Sequence, residues 1–144
     1  KYLYLPFTTL LLSLLTACGA PNNVLPGEGK WRLINYWALW CTPCREEIPV
    51  LNAFDKRQDV QVLGVNFDRV QGDTLTSQAN QLGITFENLA NDPATQLGQT
   101  RPQVLPTTWL VDPSGQLVST LIGPQTEASL ERALQAAQQR PLTQ

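Results

Sequence analysis

The chemistry in this chain is concentrated in one short run, Trp-Ala-Leu-Trp-Cys-Thr-Pro-Cys-Arg-Glu-Glu-Ile-Pro, residues 37–49. Two thiols, Cys41 and Cys44, flank Thr42 and Pro43, and Trp40 stands immediately before them. Cysteines at this spacing hold a metal, staple a turn or exchange electrons. A structural zinc site needs about four ligands, drawn from Cys and His. This chain has no histidine, and its only other cysteine is the distant Cys18. Haem attachment through CxxCH fails because Arg45 follows Cys44. Cys–His nucleophilic catalysis lacks its imidazole. Copper carriage calls for His or Met beside Cys, and both are absent. No metal site is expected, and no cofactor beyond the thiol pair itself.

A static disulfide and a redox-active one remain. A short apolar strand, "WRLINYWA" (31–38), runs straight into the motif, and the helical spacing of Ile48, Leu51 and Phe54 follows it. Cys41 therefore stands at a helix N-terminus, which favours a thiolate and lowers its pKa. Pro43 suits a first helical turn, where no N–H is needed. A structural staple gains most from closing a long loop, and this one closes almost none. The physics favours redox activity. Glu47, three residues beyond Cys44, shares its helix face, whereas Glu46 points away. A carboxylate beside a thiol raises the thiol pKa and can relay its proton; the alternative is a solvated surface carboxylate.

The remaining elements must hold this strand end in place. Pro49 should kink the first helix. "VQVLGVNFD" (60–68) reads as a second strand. Asp73 caps a helix with Leu75, Ala79 and Leu82 on its apolar stripe, ended by Gly83. "ITFENLA" is a weaker strand, and Asp92-Pro93 starts a short helix to about Gly98. "TTWLVD" and "LVSTLIG" flank the turn Asp112-Pro-Ser-Gly115 and form an antiparallel hairpin. A last helix begins near Thr126 with Leu130, Ala133, Leu134 and Ala137 on one face. Strands alternating with helices imply a mostly parallel sheet with an antiparallel edge. Chemistry in such sheets collects at the carboxyl ends of strands, which is where Cys41 lies.

"NYWALWCTPCREEIP" resembles the active-site motif of thioredoxin-fold proteins, and is most similar to their extracytoplasmic TlpA/ResA/DsbE-like branch. "VLPTTWLVD" resembles that family's second signature, a cis-proline loop followed by a strand, and "GVNFD" and Gly123 also fit. The resemblance covers roughly residues 29 to 140. It implies an α/β thioredoxin fold: a central mixed sheet flanked by helices, with an inserted helix–strand segment. It implies roles as well. Cys41 is the exposed nucleophile, Cys44 the buried resolving thiol, and Glu47 the acid that helps proton transfer. Pro106 is the cis-proline where a partner's backbone docks and metal binding is discouraged. Leu105 before it shapes partner choice, and Thr42 and Pro43 between the cysteines tune the pair. Trp40 is expected to neighbour the active site. Trp37 could line the same surface or belong to the core, and Trp109 is expected in the core. Asn35 stands where cytoplasmic thioredoxins keep a buried Asp, which points to Glu47 as its replacement.

The chain's start carries a different message. "KYLYLPFTTLLLSLLTACGA" has a basic residue, an apolar run to Leu15 and then small residues, the pattern of a secretory signal. Leu15-Thr16-Ala17-Cys18 resembles the lipobox of bacterial lipoproteins, in which the cysteine carries lipid. On that reading residues 1–17 are a signal peptide, 18–30 a lipidated Cys18 with a flexible tether, and 31–144 the thioredoxin-like domain. One cysteine claimed by lipid leaves a single pair, and an exported location tolerates disulfides. Gly19 after the lipidated residue resembles an outer-membrane signal. The early hairpin of many relatives is expected to be absent, since about a dozen residues separate Cys18 from Trp31.

With 10 Lys and Arg against 12 Asp and Glu and no basic run, the chain lacks the clustered charge that nucleic acid requires. The expectation is a lipid-anchored thiol–disulfide oxidoreductase facing the periplasm or cell exterior, reducing disulfides in exported proteins. Its partners would be those proteins and a DsbD/CcdA-like membrane electron donor; apocytochrome c maturation is a family-level option. The alternatives are an oxidase that donates its disulfide, or a non-catalytic binding module on the same scaffold.

Overall fold

The computed structural model describes residues 25–140. In chain order the elements are β1 (Trp31–Trp37), α1 (Thr42–Phe54), β2 (Val60–Asn66), α2 (Gly72–Gln81), β3 (Glu87–Asn88), β4 (Thr107–Val111), β5 (Leu117–Ile122) and α3 (Glu127–Gln138). One five-stranded sheet has the order β3-β2-β1-β4-β5. β2 pairs in parallel with both β1 and β3, whereas β4 is antiparallel to both β1 and β5. The sheet is thus evenly mixed rather than mostly parallel. The chain leaves β3, crosses past β1 through residues 89–106 and enters β4 reversed, so the hairpin joins the sheet's centre instead of only edging it.

Alternation along the strands sends side chains to two cores. Leu33 and Trp37 of β1 face the helices, where Ile48, Leu51, Leu75, Ala79, Leu130 and Leu134 are buried. Ile34 and Tyr36 face the other way and join Val65, Trp109 and Val111. That second core is closed by Leu25, Ala94 and the partly buried Leu89, Leu97 and Leu105 rather than by a helix.

Several local expectations change. α1 runs unbroken through Pro49, whose ring lies on the exposed face. The cap of α2 is Gln71, without a side-chain bond, and Asp73 sits inside the first turn. The third strand shrinks to Glu87–Asn88. The helix expected over 92–98 is a single irregular turn. Leu97 N–H reaches Pro93 O at 3.0 Å, and Gln99 N–H then closes on Ala94 O at 2.8 Å beside Gly98 at φ 64°. The glycine stops the turn before a second helical bond can form.

Residues 25–30, expected to belong to a tether, pack on the domain. Leu25 is buried, and the buried Arg32 donates through Nε to Pro26 O at 2.8 Å. Cys18 and the signal and lipobox readings lie outside the described residues.

Gly64 in mid-β2 is required by a close approach. The Trp37 indole N–H donates to Asn88 Oδ1 at 2.9 Å across it. A Cβ at Gly64 would stand 2.1 Å from that oxygen and 2.9 Å from the indole nitrogen.

Candidate active site

β1 ends at Trp37, and a tight turn delivers the first thiol, with Cys41 N–H donating to Ala38 O at 3.1 Å. Cys41 is then the N-cap of α1: its backbone is extended, and its Sγ accepts from Cys44 N–H at 3.2 Å. Thr42 and Pro43 fill the first two helical positions, where Pro costs no hydrogen bond. Cys41 and Cys44 form a disulfide with Cα atoms 5.3 Å apart. Cys41 retains 3% of its exposure and Cys44 none. The expected exposed nucleophile is therefore nearly covered in the disulfide state, because capping and bonding both turn its sulfur inward. What reaches solvent are its neighbours Trp40, Thr42 and Pro43.

The Leu105–Pro106 peptide is cis. Pro106 is buried, its carbonyl accepting from Gly123 N–H at 2.9 Å. Leu105 packs against the core cluster that holds both cysteines, and Thr107 pairs with Tyr36, which places the loop beside the end of β1 that leads into the thiol pair.

Glu47 is not a solvated carboxylate. It is fully buried on the face of α1 that also buries Cys44. Oε1 accepts from Asn35 Nδ2 at 2.6 Å, and Oε2 from the backbone N–H of Gln125 at 2.7 Å. Asn35 Nδ2 also donates to Thr108 Oγ1 at 2.9 Å, while Asn35 Oδ1 meets no donor among the described residues. Burial pushes the Glu47 carboxyl up to about 7, against the lowering effect of the Gln125 and Asn35 donors. A group poised there takes and gives a proton near neutral pH. Glu46 is exposed, as its position on α1 implies.

Trp40 is 62% exposed, its indole N–H donating to Asp68 Oδ2 at 3.0 Å and its ring meeting Phe67 edge-on at 6.3 Å. Trp37 does not line this surface; it is wholly buried. Trp109 is core and packs edge-to-face on Tyr36 at 5.0 Å.

Sequence reasoning missed Thr108, Gln125, Phe67 and Asp68. Gln125 acts through its backbone N–H, which leaves no mark on residue type. The Asn66-Phe67-Asp68 run at the end of β2 was a visible signal, since β2 ends beside β1 at the same sheet edge as Cys41.

The thiol pair, capped helix, cis-proline loop and buried acid can be set against known proteins. The sequence pattern of the AhpC/TSA family matches residues 22–120. The chain belongs to that family. Its place is among the family's thiol–disulfide oxidoreductases, with a thioredoxin fold. The thiol–disulfide oxidoreductase ResA of Geobacillus kaustophilus is 31% identical over 121 residues, covering 82% of this chain and 69% of its own. The thiol:disulfide interchange protein HelX of Rhodobacter capsulatus is 33% identical over 105 residues, covering 69% of this chain and 56% of its own. Among solved structures, a secreted thiol-disulfide isomerase of Corynebacterium glutamicum superposes with a TM-score of 0.62 at 25% identity, over 78% of this chain and 73% of that one.

Proposed function

We propose that this chain is an extracytoplasmic, membrane-tethered reductase of disulfides in exported proteins. The observation that carries the reading is the Cys41–Cys44 pair at the N-terminus of α1, with Cys41 as its cap. The helix dipole and the Cys44 N–H both favour a thiolate at Cys41 once the pair is reduced. That thiolate attacks one sulfur of a substrate disulfide, forming a mixed disulfide with Cys41; the substrate S–S bond breaks and the other substrate sulfur leaves as a thiolate that takes a proton from water. Cys44 then attacks Cys41 Sγ, releasing the second substrate thiol and forming the Cys41–Cys44 disulfide. The substrate gains two electrons from the chain and two protons, one passed on from Cys44 through Glu47 and one from water, to which Cys41 gave its own on ionising. Glu47 accepts the Cys44 proton, for which its carboxylate–carboxyl balance near neutral pH suits it.

Substrate backbone docks along Leu105 and Pro106, with Trp40, Thr42 and Pro43 forming the rest of the contact surface. No cofactor enters this scheme: electrons return through thiol exchange with a membrane electron-transfer partner of the DsbD/CcdA kind. Tethering through lipid on Cys18, in an inner or outer membrane, rests on residues outside those described. Among the described residues no helix is long and apolar enough to cross a membrane. Names that relatives carry, such as disulfide interchange, support the class of reaction, and cytochrome c precursors are one substrate class within it.

The test is the reduction potential of the pair, read by equilibrating residues 19–144 against glutathione. The scale runs from about −270 mV for a reducing thioredoxin to about −120 mV for a strong oxidant. A value near the low end is expected. A value near the high end makes the protein an oxidase, and a disulfide that stays closed in the folded protein makes it a binding module.

A further inference from the structure

The 89–106 segment is long and without regular structure, yet it delivers the cis-proline loop to the thiols. Connections of this length are usually functional or disordered, so something must hold this one. Its ends are tied to strands. Its returning limb, 99–104, buries little: Gln99, Thr100, Gln103 and Val104 are all exposed. The limb is tied at its ends by Gln99 N–H to Ala94 O at 2.8 Å and by the Thr107 hydroxyl donating to Val104 O at 2.7 Å, and between them it is held by the side chain of Arg101. Its Nε donates to Asp92 Oδ2 at 2.7 Å, and another guanidinium nitrogen donates to the Phe67 carbonyl. The guanidinium also lies over the Phe67 ring, 4.3 Å from its centroid. Arg101 and Asp92 side chains are each only 19% exposed, so this pair is mostly dehydrated, and loss of one partner strands the other.

Both partners of Arg101 lead back to the active site. Asp92 Oδ1 accepts from the Tyr36 hydroxyl at 2.6 Å and from Ala94 N–H at 3.0 Å, anchoring the outgoing limb to β1. Phe67 N–H donates to Trp37 O at 2.7 Å, and its ring supports Trp40 edge-on. One guanidinium therefore joins the limb running to Pro106 with the aromatic stack that props up Trp40. No second charged side chain lies between residues 99 and 106.

We propose that Arg101 is a positioning residue for substrate, holding the Pro106 limb and the Phe67–Trp40 stack in fixed relation on either flank of the thiol pair. The inference rests on the reading above that Trp40 and the Leu105–Pro106 loop bind the protein substrate. Arg101 touches neither sulfur, so it acts on where a polypeptide docks and not on the intrinsic chemistry of the pair. A lysine reaches one acceptor at a time and lacks the planar fork, so it cannot hold the carboxylate and the carbonyl together while stacking on Phe67.

The test compares Arg101→Gln, Arg101→Lys, Asp92→Asn and Trp40→Ala with the parent chain. The readouts are KM and kcat for insulin reduction, the rate with a small aromatic disulfide, the reduction potential and Tm. For Arg101→Gln a rise of about tenfold in KM for insulin is expected, with kcat and the small-disulfide rate within about twofold. Arg101→Lys should recover only part of that rise, and Asp92→Asn should raise KM in the same direction. Should Arg101→Gln fail to fold, Arg101→Lys and Asp92→Asn decide the matter by the same readouts. A lowered Tm with unchanged KM in these variants, while Trp40→Ala still raises KM, overturns the positioning role and leaves the docking surface standing. An unchanged KM in Trp40→Ala overturns the docking reading itself and this inference with it.

Discussion

The two cysteines are close in chemistry and different in setting. Cys44 lies wholly inside the core, while Cys41 caps the helix at its edge. A Cys44→Ser variant should therefore accumulate a mixed disulfide with a protein substrate, visible on a non-reducing gel, and Cys41→Ser should accumulate none. Glu47 sets the second prediction at this scale. Its carboxyl lies on the same buried helix face as Cys44, where an ionised carboxylate repels a neighbouring thiolate. In Glu47→Gln the alkylation rate of the reduced protein should rise at pH 7 to 8 by several-fold, and the profile should lose its inflection near about 7. A profile that keeps the inflection in Glu47→Gln assigns it to another group and removes Glu47 from the proton path.

At the scale of elements, the site depends on β1 and its neighbours more than on α1 alone. β1 supplies Asn35 to Glu47 on one face, Tyr36 to Asp92 on the other and the Trp37 carbonyl to Phe67 N–H along the sheet, three bonds from three consecutive residues. Over β2, the side chains of Trp37 and Asn88 meet where a Cβ at residue 64 would stand. Gly64→Ala should cost about 1–3 kcal/mol of stability, since the Trp37–Asn88 bond must yield to the added methyl. Urea unfolding followed by tryptophan fluorescence measures it. A loss below about 0.5 kcal/mol would mean that Asn88 moves aside freely.

For the whole molecule, the shifted carboxyls give stability a defined pH profile. Glu47 is raised in the fold from 4.5 to about 7, so the folded state holds its proton more tightly than the unfolded one. Its contribution is full below about pH 4.5 and is lost as pH rises to about 7. At roughly 1.4 kcal/mol per unit the loss is on the order of 3 kcal/mol. Asp92 runs the other way. Burial raises its pKa, but the Tyr36 hydroxyl, Ala94 N–H and Arg101 together outweigh burial and hold it below 3.8. Its contribution is present above that value and is lost as pH falls through the lowered one. Unfolding free energy should thus decline between pH 4.5 and 7 in the parent chain and lose much of that slope in Glu47→Gln. Denaturant melts at half-unit pH steps would show it.

Whatever depends on local spacing and on residue type was legible in the chain alone. The absence of histidine removed most metal and nucleophile chemistries, and the CxxC at a strand end, with Pro43 after Cys41, placed a thiol at a helix N-terminus. The hairpin around Asp112–Gly115 and the start of the last helix near Thr126 were equally local; in the fold Thr126 caps α3, its side chain accepting from Ser129 N–H. The rest depended on contacts between residues far apart in the chain. Whether Glu47 faced water or the core turned on β1 bringing Asn35 beside it and on a backbone N–H from residue 125. The 92–98 helix looked sound from Asp-Pro alone, yet Asp92 serves Tyr36 and Arg101 as well as Ala94, and Gly98 closes the turn early. Sequence spacing reports which residues share a face; burial and the partners met across dozens of residues arise only when the strands pair. Those two quantities set the proton affinity of Glu47 and the rigidity of the Pro106 limb.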